Sequence, residues 1–395
     1  MNTFTARLIR RVSNSGMRSP LLAIPLFWVA VRSIELLDVN FGTYRALVML
    51  SVLLALLPLT RGAGRPHAVA GPKHERCLAI TVGILVTGQV AYAVTRLWDP
   101  HLVDIATKTL AAGDALLTGA NPYVLPIDGA PSAVFHGFKY SPLMAVWYMP
   151  LGVPLGQRGI VLTNLPLQLA TVWLVFRLTR SEGARGTALV AVLAYLALPI
   201  VPFEIFNRGV PELVAVLPLL VALLYSDRNA WLAGFCIGVS LSAKLLPGGL
   251  LLPCCLPAGT PQRVRYAAGI SIGLVPMLLA ALWSPVELWN NLILFNLLRP
   301  VDSTSWLSVA PPFAGWCARG AFVVVFLCIA ISIWRARTTT VAARCGFGAI
   351  AILAALLSGP VAHNNYHLWW LPLGSIVLAN GLDRRRSDPA LPAAP

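Results

Sequence analysis

The sequence predicts an all-α, polytopic membrane protein: one bundle of about 11–12 transmembrane helices with a large first extracytoplasmic loop that carries interfacial helices. Three observations predict it. Apolar residues make up 57% of the 395-residue chain and charged residues only 11%, whereas a soluble domain carries roughly 25% charged and about 45–50% apolar residues. The mean hydropathy is +0.74, which also excludes disorder, because disordered chains are poor in apolar residues. Finally, the apolar residues fall in runs of spanning length, and the basic residues cluster in short stretches between them.

Taking about 20 apolar residues per span, and as few as about 17, the runs lie near 20–37, 44–60, 78–97, 159–178, 187–204, 211–225, 230–246, 247–258, 267–284, 319–334, 343–361 and 366–381. Arg7, Arg10, Arg11 and Arg18 precede the first run, as in a signal peptide. Arg32 and Glu35 follow it in place of a small-residue cleavage pattern, so an uncleaved span is expected. The eighth run is too short to cross alone. It is expected to continue the seventh through a break at Pro247-Gly248-Gly249, packed inside the protein where broken backbone can be satisfied. Two helices at 20–60 thus precede a core at 78–380, within one membrane domain at 1–386, and an Ala/Pro-rich tail at 387–395 is expected to be disordered.

Orientation follows from the positive-inside rule. With both termini in the cytoplasm, most basic residues fall inside, among them Arg61, Arg76, Arg177, Arg180, Arg185, Arg228, Arg263 and Arg344. Most acids fall outside, including Asp99, Asp104, Asp114, Glu204, Glu212 and Glu287. The segment Pro142–Gly156 is apolar but short and proline-broken, and a crossing there would put Arg177, Arg180 and Arg185 outside. It is therefore expected to be a re-entrant or interfacial helix within the outer loop 98–157. A second outer segment is expected from Ser284 to Arg319. The protein is placed in the cell (plasma or inner) membrane, with its polar chemistry on the extracytoplasmic side.

The formal charge of +15 would suggest nucleic acid in a soluble protein; here it reads as topology, and no nucleic-acid partner is expected. The seven cysteines form no Cys-x-x-Cys pair and read as small buried hydrophobes, so no metal is expected.

Four groups could carry chemistry. Asp104 opens the stretch Asp104–Thr118, whose apolar pattern suits a helix lying at the membrane surface. A carboxylate at the lip of a bundle can serve as general base towards a hydroxyl. A solvated loop acid would look the same, and Asp99 and Asp114 compete for the role. Asn121-Pro122-Tyr123 and Lys139-Tyr140-Ser141-Pro142 are turn chemistry, or tyrosines of an interface belt. Lys244 either snorkels to water or meets a phosphate. His363 and His367, four residues apart, could share a helix face for a metal, hold an anionic head group, or be structural. Arg208 and Arg299 are further candidates for charge-assisted bonds to phosphate.

Taken in order, four stretches resemble the membrane glycosyltransferases of the GT-C superfamily, and within it the polyprenyl-phosphate-mannose-dependent mannosyltransferases of glycosyltransferase family 87. They are Asp104 with Ala111-Ala112-Gly113-Asp114 through Asn121-Pro122-Tyr123, then Phe138-Lys139-Tyr140-Ser141-Pro142-Leu143 with Pro150-Leu151. Leu232-Ala233-Gly234 with Gly238 and Lys244-Leu245-Leu246-Pro247 follow, and last Ser358-Gly359-Pro360 with Tyr366-His367 and Leu371-Pro372. Gly209-Val210-Pro211-Glu212 stands where the family pattern has Gly-Gln-x-Asn.

The resemblance implies a GT-C-like bundle and transfer of a sugar from a polyprenyl-phosphate donor at the outer face, with no nucleotide; the reading taken from it is an inverting transfer to a lipid or glycan acceptor with no cofactor, metal dependence being left open. It makes Asp104 the catalytic base. It also picks out Lys244 and His367; beside it, the residues themselves suggest that Lys244, with Arg208 or His367, meets the donor phosphate, with Tyr140, Asn121, Tyr123 and His363 as further substrate contacts. Two other classes would fit such a chain. A transporter or lipid flippase would need a mid-membrane polar path and often shows inverted repeats, which the sequence lacks. A non-catalytic partner in cell-envelope assembly would carry a degenerate site.

Overall fold

The computed structural model describes residues 72–387 apart from 100, 128–136, 302–304, 306, 308–310, 336–339 and 360–362. The expected spans at 20–37 and 44–60 and nearly all of the tail lie outside the described residues. Every regular element among the described residues is helical, as expected. The longer ones are α1 (Pro72–Arg96), α2 (Asp104–Leu117), α3 (Pro142–Leu155), α4 (Gln157–Arg180), α5 (Arg185–Leu196), α6 (Leu213–Tyr225) and α7 (Ala230–Ala243). They continue with α8 (Leu245–Leu251), α9 (Thr260–Gly273), α10 (Val275–Trp283), α11 (Pro312–Arg335), α12 (Val341–Ser358) and α13 (Leu371–Ser387).

Three segments are long and apolar enough to cross a membrane unaided: Glu75–Arg96, Gln157–Arg180 and Val341–Ser358. Two more pass only as bent pairs, α5 with Ile200–Asn207 at 59° and α9 with α10 at 49°. Proline accounts for both bends, since it lacks an N–H and clashes with the preceding turn. Pro199 and Pro202 follow α5, and Pro276 sits in the first turn of α10. Beyond the first bend the chain widens into a π-helical turn, Phe203–Asn207, a geometry that recurs at functional sites.

One expectation is corrected. The seventh run breaks at Lys244, not at Pro247-Gly248-Gly249. Lys244 is extended (φ −155°, ψ 121°), and α8 restarts at Leu245. Pro247 then falls in the first turn of α8, where its missing N–H costs nothing. The expected outer segment Ser284–Arg319 is itself partly helical. Its first part, Pro285–Leu298, is helical with a central π turn at Trp289–Leu294, and α11 begins already at Pro312.

Helix α4 is the hub, packed on α1, α3, α5, α6 and α13. Its inward face carries Asn164, Gln168 and Thr171, all buried. The Gln168 amide donates to Gln89 Oε1 of α1 at 2.9 Å and its Oε1 accepts from the Tyr195 hydroxyl of α5 at 2.9 Å. Between helices in lipid, such bonds supply cohesion that apolar contact alone does not. Helices α7 and α9 meet along a glycine seam. A Cβ on Gly234 would lie 2.0 Å from the Tyr266 carbonyl oxygen, and one on Gly273 would lie 2.3 Å from that of Phe235. The seam ends where Ser242 Oγ donates to the Gly273 carbonyl at 2.9 Å, two residues before Lys244.

The bundle has two chemically different ends. At one, the Glu182 carboxylate caps α12 by accepting from Val341 N–H and, at 3.0 Å, from Ala342 N–H. Arg344 there donates to Asp227 at 2.7 Å and to Ser226. Arg177, Arg180, Arg185 and Arg228 belong to this end. The opposite end gathers the start of α2, the turn before α6, the α7–α8 break, the helical segment 285–298 and the turn 363–369.

Candidate active site

The site is built on a turn that only glycine can make. Gly209 has φ +66°, and a Cβ there would lie 2.4 Å from Leu102. That close approach lets Val103 N–H donate to the Arg208 carbonyl at 3.0 Å, which docks the start of α2 onto the turn. Asp104, the first residue of α2, keeps a side chain that is 71% exposed. Its Oδ1 accepts from Ile105 N–H at 2.8 Å and its Oδ2 from Lys108 Nζ at 2.9 Å. The carboxylate is thus oriented yet open to solvent.

Three residues beyond Gly209 stands Glu212, whose side chain is 0% exposed. It accepts from Lys244 Nζ at 2.5 Å, from the Asn365 amide at 2.6 Å and from Trp369 Nε1. The pair is buried deeply enough that each charge needs the other: an uncompensated ion in such a place costs several kcal/mol. Lys244 also lies 4.9 Å from the ring centroids of both Tyr366 and Trp369 and 5.9 Å from that of Tyr140. Those two rings stack at 4.6 Å. An ammonium boxed by three aromatic faces and one carboxylate has a fixed position, which the break at Lys244 makes possible. A continuous helix would carry this side chain elsewhere.

A second acid, Glu204, is fully buried in the π turn and pairs with Arg208 at 3.0 Å. Arg299 has no acidic side chain within ion-pair distance among the described residues; its guanidinium lies 3.3 Å from His363 Nε2. Burial pushes the Tyr140 phenol far above its ordinary value; Tyr366, Asp104 and Glu212 push the same way and Arg299 opposes them. The Tyr366 phenol is pushed up to about 12, first by burial and then by Glu212, with Arg299 opposing. The charges of Asp104, Glu212 and Arg299 therefore converge on two phenolic hydroxyls that stay protonated and can donate.

The remaining candidates take different places. Tyr123 is buried, and its hydroxyl donates to the Tyr140 carbonyl at 3.0 Å. Asn121 accepts from Tyr123 N–H at 3.0 Å in a side-chain-closed turn. Both hold Tyr140 in place rather than facing an open space. His367 is buried, its Nδ1 accepts from Trp370 Nε1 at 3.0 Å, and burial pushes its pKa down to about 4. Burial thus favours the neutral ring, whose contact with a substrate would be a hydrogen bond. His363 and His367 do not share a face either. The chain between them is a 3-10 turn, Asn364–Trp369, in which residues four apart diverge by about a third of a turn. No cluster of three or more His, Cys, Asp or Glu side chains suited to a metal occurs among the described residues. Asp114 lies within α2, ten residues beyond Asp104, and Asp99 is exposed beside His101 at 3.5 Å.

The residue that sequence reasoning passed over is Glu212, which read there as one more outer acid. A signal was present: an acid opening an apolar run is costly in a membrane and is usually functional.

Comparison with known proteins follows the same geography. The sequence profile of glycosyltransferase family 87 matches residues 138–360. A polyprenol-phosphate-mannose-dependent alpha-(1-2)-phosphatidylinositol mannoside mannosyltransferase of Mycolicibacterium smegmatis is 25% identical over 332 residues, covering 73% of this chain and 72% of that protein. The crystal structure of ArnT from Cupriavidus metallidurans bound to undecaprenyl phosphate matches with a TM-score of 0.56 at 18% identity. That match covers 77% of this chain but only 60% of ArnT, and the likeness is one of fold.

Proposed function

Because the chain belongs to glycosyltransferase family 87, we propose that it moves a sugar, mannose or another hexose or pentose, from a polyprenyl-phosphate donor to a lipid or glycan acceptor at the outer face of the membrane. The observation that carries this reading is the arrangement of one open carboxylate, Asp104, beside a half-buried floor of Lys244, Arg299, Tyr140 and Tyr366. The donor class rests on the name of the mycobacterial relative, which is polyprenol-phosphate-mannose-dependent. The outer placement rests on the basic opposite end, which the positive-inside rule assigns to the cytoplasm.

In the proposed reaction the acceptor hydroxyl loses its proton to Asp104 as its oxygen attacks the anomeric carbon. The bond from that carbon to the phosphate oxygen breaks, and its electron pair leaves with the phosphate. One in-line displacement inverts the anomeric centre. Charge grows on the departing phosphate, so fixed positive groups and phenolic donors placed there lower the barrier. Lys244, Arg299 and the hydroxyls of Tyr140 and Tyr366 are those groups, and Arg208 lines the same turn as Asp104.

The test is Asp104→Asn, assayed in membranes with a labelled polyprenyl-phosphate sugar. Loss of a positioned general base typically costs on the order of 10²- to 10⁴-fold. A drop of that size with an unchanged melting temperature is expected. Near-normal turnover by a folded variant rejects Asp104 as the base.

A further inference from the structure

We infer that Glu212 is the positioning residue of the reaction, the group that keeps the Lys244 ammonium charged and aimed at the departing phosphate. This rests on the proposed transfer from a polyprenyl phosphate. Three observations carry it. Glu212 is fully buried, and its donors among the described residues face the site: Lys244 from the α7–α8 break, and Asn365 and Trp369 from the turn before α13. Among the described residues Lys244 has no other carboxylate at ion-pair distance, and its side chain is only 13% exposed. Glu212 also opens α6 directly after the turn that seats Asp104, so one short segment, 208–212, sets the positions of both the base and the cation.

An amide at position 212 could accept hydrogen bonds from the same donors but would supply no charge. A buried ammonium without a counter-ion gives up its proton more readily. Burial loosens the hold of Lys244 on its proton, and the Glu212 carboxylate beside it opposes that loss. Lys244 is faced by Glu212 from α6, Tyr140 from before α3, Tyr366 from the 3-10 turn and Arg299 from the segment after residue 298. Tyr140 and Tyr366 remain protonated. Arg299 is a like charge that weakens the hold of Lys244 on its proton. Glu212 is therefore the group that opposes burial and Arg299 alike.

The experiment compares the full-length wild type with Glu212→Gln, Glu212→Asp and Lys244→Gln, using a labelled polyprenyl-phosphate sugar and reading kcat and KM from about pH 5.5 to pH 9. The ammonium is the active form, so activity falls as pH rises through its pKa. In Glu212→Gln that falling limb is expected to move to lower pH by about one unit or more, with about a tenfold loss of kcat/KM at pH 8 that shrinks towards acid pH. Glu212→Asp is expected to restore part of the wild-type profile, and Lys244→Gln to be equally impaired at every pH, with no such limb. A Glu212→Gln variant that melts like the wild type and keeps the wild-type pH profile overturns the assignment alone. So does one that loses activity by the same factor at every pH, because that is the mark of a structural role. A wild-type chain that turns over no polyprenyl-phosphate sugar overturns the reading beneath the assignment, and the assignment with it.

Discussion

At the scale of single residues, burial decides what each titratable group can do. His367 shows the rule most plainly. Its folded pKa of about 4 lies below the ordinary 6.5. The unfolded chain therefore takes up a proton that the folded chain refuses. The stability contributed by the neutral ring is complete above about pH 6.5 and is lost as pH falls from there towards 4, up to about 3 kcal/mol for a shift of this size. A melting curve of the purified full chain between pH 7.5 and 4.5 is expected to drop in the wild type and to drop less in His367→Gln, whose amide can still accept from Trp370. Equal slopes in the two proteins would show that some other group carries the acid sensitivity. The site itself was legible in part. Asp104 and Lys244 stand out because charges beside or within apolar runs are rare and costly. The role of Glu212 was not legible, since its partners are 32, 153 and 157 residues away and only the folded chain brings them together.

At the scale of elements, the break at Lys244 and the glycine seam are one device. Gly234 and Gly238 on α7 face Gly269 and Gly273 on α9, each helix repeating glycine at every fourth position so that the backbones touch. This sets the height of α7 to within a bond length, and with it the height of Lys244. Gly234→Val or Gly273→Val is expected to lower stability by more than the roughly 1–3 kcal/mol of ordinary overpacking, because the clash is with backbone that cannot rotate away. Gly249→Ala is the control. Nothing lies within 4 Å of a Cβ there, and removing a helical glycine is neutral or gains up to about 1 kcal/mol. Thermal unfolding in detergent separates the two. Helix periodicity in the sequence placed α2 and α3 closely. It misplaced the break after α7 because proline and glycine in the first turn of a helix look, in sequence, like proline and glycine that end one. The helices of 285–298 were also missed, their residues being too polar at Glu287, Asn290, Asn291 and Asn296 to stand out as a span.

At the scale of the whole molecule, the separation of chemistry between the two ends fixes an expectation about sidedness. In a chain freed of its native cysteines, Asp114→Cys is expected to react with a membrane-impermeant maleimide added to intact cells. Arg228→Cys is expected to react only after the membrane is opened. Both positions are exposed. The reverse pattern would place the site in the cytoplasm and with it any substrate. Membrane residence follows from composition, since 11% charged residues cannot cover a soluble surface of this size, and the all-α class from the spanning length of the apolar runs. The number of uninterrupted crossings does not follow, because several apolar runs are divided by prolines whose effect depends on the helices packed beside them.

The cap that Glu182 places on α12 has a mechanical meaning. Helix α12 is 18 residues long, about 27 Å at 1.5 Å per residue. It is pinned at its first turn by Glu182 and Arg344, and at its far tip it hands the chain to His363 and Asn365. It is a lever with its pivot at the basic end, so loosening the pivot by a degree or two would shift the tip by roughly 0.5–1 Å. A substitution at Glu182, which touches nothing in the site, should therefore be felt there as a displacement of His363 and Asn365.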